Sequence, residues 1–431
     1  MTALVPPHPS RARRSRTVVR AIAAAACCGL LLSGPAASAA SAPAPAATVP
    51  AEASGRGTLV SAERLYTLDT PQAVIADLTA AGFAADTVRY GVTAYRLIYR
   101  TVDAHGRPTT ASGLVAVPLR SPDRLHTVSF AHGTGSHKND APSAQRAAFV
   151  SAPVIAHASA GAFAVGPDYL GLGQGPGLHP WMDIGSETTA SLDMLRAAHA
   201  FAPRTGHVLE REVMVTGFSQ GASAALGLGR ALQAGADSWF RLGALAPVSG
   251  AYDFGGAELR ALMAGGLDPK SSVIYAAYTL VAFNRLHDIY DRPEEVFQDA
   301  YAGTVEALFD GAHTGQELMR GTPETLDGLL TAHGRELLTH PTGALADALR
   351  TTDAVCTDWT PRAPVRLYTA SGDEQATTEN TANCRAALAS KGVRVPVDDL
   401  GAVDYHGSRH LGSNVAATPR IVRWFAGLSR H

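Results

Sequence analysis

The sequence predicts an α/β chain: a mostly parallel sheet with helices on both faces, interrupted once by a helical cap. Three observations carry that class. From residue 97 onward, short apolar runs rich in β-branched residues alternate with amphipathic stretches, which is the pattern of βαβ units. The alternation stops between about 252 and 350, where only helical spacing remains, and then resumes. Hydrophobic residues make up 46% of the chain and charged ones 17%, enough apolar material to bury a sheet on both faces.

Taken in chain order, residues 1–39 read as an export signal. Arg11, Arg13, Arg14, Arg16 and Arg20 form a basic segment, Ala21 to Leu32 is an apolar run of twelve residues, and Ala37-Ser38-Ala39 is a small-residue cleavage site. Twelve apolar residues fall short of the roughly 20 that cross a bilayer, which argues against an anchor. Arg13-Arg14 raises the twin-arginine route, although the residues that follow fit it poorly. Cys27 and Cys28 lie inside the apolar run rather than after it, so a lipoprotein anchor is not expected. Residues 40–57 are rich in Ala, Pro and Ser and read as a disordered linker.

Charge and cysteine content follow from this division. The whole chain carries 36 basic and 38 acidic residues; without its first 39 residues, 31 basic face 38 acidic, a net of −7. That balance excludes a strongly basic nucleic-acid binder. Cys356 and Cys384 remain as an even pair, and in an oxidising compartment a disulfide is the simplest expectation.

Residues 58–251 and 351–431 form two parts of one core. Leu114–Val117, Thr127–Ala131, Ala162–Gly166, Val213–Thr216 and Leu242–Val248 read as buried strands, with helices over 143–159, 185–201 and 220–234. Residues 252–350 form the helical cap. There Pro293 opens a helix carrying Phe297, Tyr301, Val305 and Leu308, and Thr322-Pro323 reads as a cap and first-turn proline. Ser272–Phe283 is apolar nearly all round, a sign of burial on more than one side. Val365–Ala370, Val393–Val397 and a last helix near 414–427 complete the core.

The chemistry centres on Gly217-Phe218-Ser219-Gln220-Gly221, directly after the strand Val213–Thr216 and leading into a small-residue helix. The pentapeptide alone is weak in a chain with 42 glycines; its strand-to-helix context strengthens it. Such a turn holds the serine Oγ clear of the backbone and aims the Gln220 N–H at a developing oxyanion. A second donor comes from Ala131-His132-Gly133-Thr134-Gly135, with Thr134 first and Gly135 second; His132 reads as a buttress of that loop.

A serine nucleophile needs a base and an orienting carboxylate. Asp373 follows the strand Val365–Ala370, while Glu374 is one residue off and points elsewhere. His410 and His406 both lie between the last strand and the last helix; His410, which leads straight into that helix, is preferred, and His406 is the alternate. The glycine-dense run 171–177 lacks a phosphate-binding register, and Asp168 before it reads as structural or as part of a pocket mouth. The sixteen histidines form no metal-ligand spacing, so neither metal nor cofactor is expected.

Together these residues resemble the secretory lipase family, the fungal lipase A type and its bacterial relatives, within the α/β-hydrolases. The resemblance rests on Phe130–Gly135, Ala141-Pro142-Ser143, Pro167–Gly173, Leu192–Ala198 and Gly217–Gly221, and covers most of residues 90–427. It implies a secreted serine hydrolase of acylglycerols or other carboxylic esters, with Ser219, Asp373 and His410 as nucleophile, acid and base. It also implies a helical lid over an acyl-binding groove. Val273, Ile274, Tyr278, Leu280 and Phe283 are the cap residues expected to line it, with internal cap packing as the alternative for each. Two departures stand out. Asp140 occupies a position where the family often has cysteine, and Tyr405-His406-Gly407-Ser408 duplicates part of the pattern around His410.

The expected partner is an ester or lipid substrate, with contact to a lipid interface and no nucleic acid or obligate protein partner. A secreted peptidase or polyester depolymerase could use the same groups. A non-catalytic binding protein fits less well with an intact Ser, Asp, His and His-Gly-Thr set.

Overall fold

A computed structural model describes residues 55–428. The segment read as an export signal and most of the expected linker therefore lie outside the described residues. At the linker's end the chain is already engaged: Arg56 pairs with the buried Asp193 at 3.0 Å, and the Gly57 N–H donates to the Arg100 carbonyl.

Nine strands form one sheet in the order β1-β2-β3-β5-β4-β6-β7-β8-β9. In chain order the core runs β1 (Leu59–Leu68), α1 (Pro71–Ala80), β2 (Val92–Val102), β3 (Pro108–Pro118), β4 (Arg124–Ala131), α2 (Ala152–Ser159), β5 (Phe163–Pro167), α3 (Ile184–Phe201), β6 (Val208–Phe218), α4 (Gln220–Gln233) and β7 (Arg241–Val248). The cap follows as α5 (Leu259–Met263), α6 (Pro269–His287), α7 (Asp299–Ala302), α8 (Gly315–Gly321), α9 (Leu326–Leu329), α10 (Ala332–Thr339) and α11 (Gly343–Asp353). The chain closes with β8 (Leu367–Thr369), α12 (Glu379–Ser390), β9 (Val397–Asp399) and α13 (Arg409–Leu428).

From β5 across to β9 every neighbouring pair is parallel, while β1, β2 and β3 are antiparallel additions at one edge. One face buries side chains of α3, α4 and α12, including Leu192, Leu226 and Leu388; the other buries α1, α2 and α13 through Leu78, Ile155 and Phe425. A sheet covered on both faces needs continuous apolar strands, which is why β4 to β7 are legible as unbroken runs. The cap packs a third cluster of its own around α6, joined by Trp181 and Met182 from the core.

Several local expectations change. The helix expected over 143–159 forms only from Ala152; residues before it are turns. The helix opened by Pro293 is broken into short turns and α7, because Gln298 takes an extended conformation and donates its N–H to the Leu329 carbonyl, while Phe297 bridges Leu330. Tertiary pairing there outcompetes the helical period. Thr322 does not start a helix: its hydroxyl bonds back to the Leu318 carbonyl at the end of α8, and Thr325 caps α9 instead. The last strand sits at 397–399 rather than 393–397, and the last helix begins at Arg409, so His410 lies in its first turn.

Cys356 and Cys384 form a disulfide with Cα atoms 5.2 Å apart, tying the end of the cap segment to α12. Among the described residues, no helix is long and apolar enough to cross a membrane.

Candidate active site

The parallel strands bring the sequence candidates to one edge of the sheet. Ala131 at the end of β4 is paired with Gly217 near the end of β6, so the loop 132–135 emerges beside Ser219. Ser219 itself lies between β6 and α4 with φ 56° and ψ −123°, its N–H held by the Val248 carbonyl at 2.9 Å. A non-glycine residue at such a φ costs of order 1–3 kcal/mol, which the surrounding structure must hold in place. The flanking glycines make the turn possible. A Cβ on Gly217 would lie 2.0 Å from the Gly221 carbonyl oxygen, and one on Gly221 would lie 2.1 Å from that of Ala131.

His410 bridges the two other candidates. Its Nε2 is 2.9 Å from Ser219 Oγ, and its Nδ1 is 3.0 and 2.9 Å from the two carboxylate oxygens of Asp373. Asp373 sits on the loop after β8 and also accepts the N–H groups of Gln375 and Ala376 at 3.0 and 2.9 Å. Burial opposes charge on both partners, but their attraction and hydrogen bonds outweigh it: the Asp373 carboxyl is held below its ordinary value, and the His410 imidazolium is raised above its own. His406 is exposed, in a turn with φ 52°, and is not part of this chain of contacts. The structure brings together Ser219, His410 and Asp373, and leaves His406 outside.

Next to Ser219 stand the two proposed oxyanion donors. The backbone N–H groups of Gln220, at the start of α4, and of Thr134 reach no acceptor among the described residues. The Thr134 hydroxyl accepts from Trp181 Nε1 at 3.0 Å, and the Gly135 carbonyl accepts from Tyr278 OH at 3.0 Å. Asp140 accepts the N–H groups of Ser136 and His137 at 3.0 and 2.9 Å and so stiffens this loop. His132 is buried with its ring nitrogens near the Gly133 and Asp168 carbonyls, and burial lowers its pKa. Asp168 is fully buried and accepts from Ser112 Oγ, Ser143 Oγ and Ser143 N–H; it is a structural anchor, away from the cavity.

A cavity of about 230 Å³ opens on Ser219 and His410. Its apolar walls come from Phe149, Val150, Phe218, Ile274, Leu318 and Leu411. Of the five cap residues expected to line a substrate groove, Ile274 and Tyr278 line this cavity. Val273, Leu280 and Phe283 do not line it; they are buried in the cap's own cluster, the internal packing that was the alternative for each.

Three further carboxylates stand around the site, of which the sequence singles out Glu374 alone, as a residue that points away from His410's ring, and gives no sign of Glu187 or Glu258. Glu374 accepts from Ser408 Oγ and from the N–H groups of Arg409 and His410, capping α13. Glu187, in the first turn of α3, accepts from Gln220 Nε2 at 2.6 Å, and burial pushes it up to about 8; the same Nε2 lies 2.9 Å from His179 Nε2. Glu258 lies at the end of a short π-helical turn before α5. Only Glu374 carried a sequence signal, its place next to Asp373.

Comparison with solved structures agrees with this architecture. A rice cell wall degrading esterase, LipA of Xanthomonas oryzae, is similar at 25% identity over 85% of this chain and 97% of its own, with a TM-score of 0.74. A Legionella pneumophila protein matches at 23% identity over 86% and 98% of the two chains, TM-score 0.78. Candida antarctica lipase A matches at 14% identity over 80% and 76%, TM-score 0.59. No family profile and no curated protein sequence matches the chain. The chain therefore has the α/β-hydrolase fold, in the form that these lipase and esterase structures share.

Proposed function

We propose that the protein is an exported serine hydrolase that cleaves carboxylic esters through an acyl-enzyme. The observation that carries the reading is the continuous contact from Asp373 through His410 to Ser219 Oγ, each step at about 3 Å. His410 takes the Ser219 proton as Oγ attacks the ester carbonyl. Asp373 fixes the imidazole tautomer and stabilises the imidazolium that forms. The N–H groups of Gln220 and Thr134 receive the oxyanion, each such donor being worth about 10²–10³ in rate. His410 then protonates the leaving alkoxide, and water activated by the same imidazole releases the acid and restores Ser219.

Esters rather than amides are favoured by the likeness to an esterase that covers 85% of this chain and 97% of the esterase's own. Export is favoured by the basic and apolar segments before residue 40 and by the Cys356–Cys384 disulfide. The test is hydrolysis of p-nitrophenyl esters of graded chain length by wild type and by Ser219→Ala. A loss of about 10⁴-fold or more is expected in the variant. Undiminished turnover by Ser219→Ala would remove the nucleophile assignment, and a wild type that cleaves peptides but no ester would favour the peptidase.

A further inference from the structure

Gln220, whose main-chain N–H is assigned to the oxyanion, is anchored by its own side chain. That side chain is buried, and its Nε2 donates to Glu187 Oε1 at 2.6 Å and lies 2.9 Å from His179 Nε2. His179 Nδ1 lies 3.0 Å from the Leu170 carbonyl, which can only accept, so Nδ1 carries the proton and Nε2 accepts from Gln220. Both amide protons of Gln220 are thereby used, one on α3 and one on the segment before it.

Glu187 is the unusual member of this set. It is 1% exposed, and the charge that acts on it is the like-signed Asp183, the N-cap of its own helix. A buried carboxylate without a cation beside it is costly. Its Oε2 and the Oε1 of Gln220 are both buried without a hydrogen-bond partner, so the cluster holds more acceptors than donors. One proton on Glu187 removes both problems: the neutral acid needs no counter-charge, and its O–H is the missing donor.

We propose that Glu187 is a positioning residue of the oxyanion hole: as a neutral acid it pairs with the Gln220 side-chain amide and so keeps the Gln220 N–H aimed at the substrate carbonyl. The proposal rests on the serine esterase reading above. The positive end of α3 and the N–H groups of Gln220 and Met182 favour charge on Glu187, but burial outweighs them and pushes it up to about 8. The other titratable groups around it, His179, Tyr169 and Tyr278, are kept neutral by burial. Ionisation of Glu187 would bring a negative charge within one side chain of the oxyanion that Gln220 stabilises, so kcat falls as the pH rises through about 8.

The test measures kcat and KM for p-nitrophenyl acetate across neutral and alkaline pH in wild type, Glu187→Gln and Glu187→Leu, with the uncatalysed rate subtracted. p-Nitrophenolate leaves without protonation, so His410 limits only the acid side of the profile. A carboxamide copies the neutral acid, with an oxygen to accept and an N–H to donate. Glu187→Gln should therefore keep kcat within a few-fold of wild type at neutral pH and lose the alkaline fall. Glu187→Leu removes both bonds and should lower kcat roughly ten- to hundredfold at every pH, with KM little changed, because the interaction it disturbs is made in the transition state. Should Glu187→Leu fail to fold, the profiles of wild type and Glu187→Gln decide alone. A wild type without an alkaline fall, or a fall that persists in Glu187→Gln, would overturn the proposal. So would a Glu187→Leu protein with a lower melting temperature but wild-type kcat, which would make Glu187 a structural anchor only. A wild type that hydrolyses no ester at any pH would instead sink the esterase reading itself.

Discussion

Glu374 holds the main chain of His410: its Oε2 accepts the His410 N–H at 3.2 Å and the Arg409 N–H at 3.0 Å, while Oε1 takes the Ser408 hydroxyl. Adjacent carboxylates thus divide the labour, Asp373 orienting the imidazole and Glu374 fixing the helix turn that carries it. Removing Glu374 leaves two donors at the start of α13 without their partner, a loss of about 1–2 kcal/mol by analogy with helix caps. A shift of an ångström in His410 costs about 10²-fold in rate. Glu374→Ala should therefore lower both the melting temperature and kcat, with KM little changed, and Glu374→Gln should recover much of each. Wild-type kcat in Glu374→Ala would mean that Ser408 alone secures the turn.

The two histidines should separate cleanly. His410→Ala removes the group that contacts both Ser219 and Asp373 and should cost about 10⁴-fold or more in kcat. His406→Ala changes an exposed turn residue and should stay within about twofold. Steady-state kinetics on one chromogenic ester decides between them, and a large loss in His406→Ala alone would reverse the assignment.

How far the sequence reaches depends on whether a signal is local. The elbow at Ser219 is legible because its serine and both glycines fall within five residues, even though the steric need at Gly221 comes from the distant Ala131 and His132 carbonyls. The strands β4 to β7 are legible because burial on both faces leaves unbroken apolar runs. By contrast, Phe297 and Gln298 read as helix because their partners at 329 and 330 are distant in sequence. His406 and His410 share similar neighbours, and only the start of α13 at Arg409 distinguishes them. Glu187 and Glu258 look like ordinary surface charges until folding buries them, so no pattern points to either.

The pH dependence of kcat/KM follows from the charges around His410. Burial alone would lower its pKa, but Asp373, Glu258 and Glu374 outweigh that effect and raise it above 6.5. The base must be neutral to act, so activity should fall as the pH drops through a value above 6.5. In Asp373→Asn the main opposing charge is lost while burial remains, so the acid limb should move downward, with kcat lower by about 10³–10⁴-fold. A pH–rate profile of both proteins on one ester reads the two shifts. An acid limb that stays fixed in Asp373→Asn would mean that another group controls it.

The elbow can be tested without touching a reacting group. A Cβ at Gly221 would lie 2.1 Å from the Ala131 carbonyl oxygen and 2.4 Å from that of His132, both backbone atoms at the end of β4. Neither can move aside as a flexible side chain would, because β4 is paired on both sides, with β5 and β6. Gly221→Ala must therefore push the start of α4 away from the loop that carries Thr134, and the N–H groups of Gln220 and Thr134 then no longer converge on one oxygen. Overpacking of this kind costs about 1–3 kcal/mol. Losing one oxyanion donor costs a further 10²–10³ in kcat. Gly227, in the middle of the same helix, provides the control. Its Cβ would meet the Thr188 hydroxyl and the Ile184 methyl, both on side chains, so Gly227→Ala should cost stability but spare more of kcat. If Gly221→Ala lost stability yet kept full kcat, the oxyanion donors would have to lie elsewhere than Gln220 and Thr134.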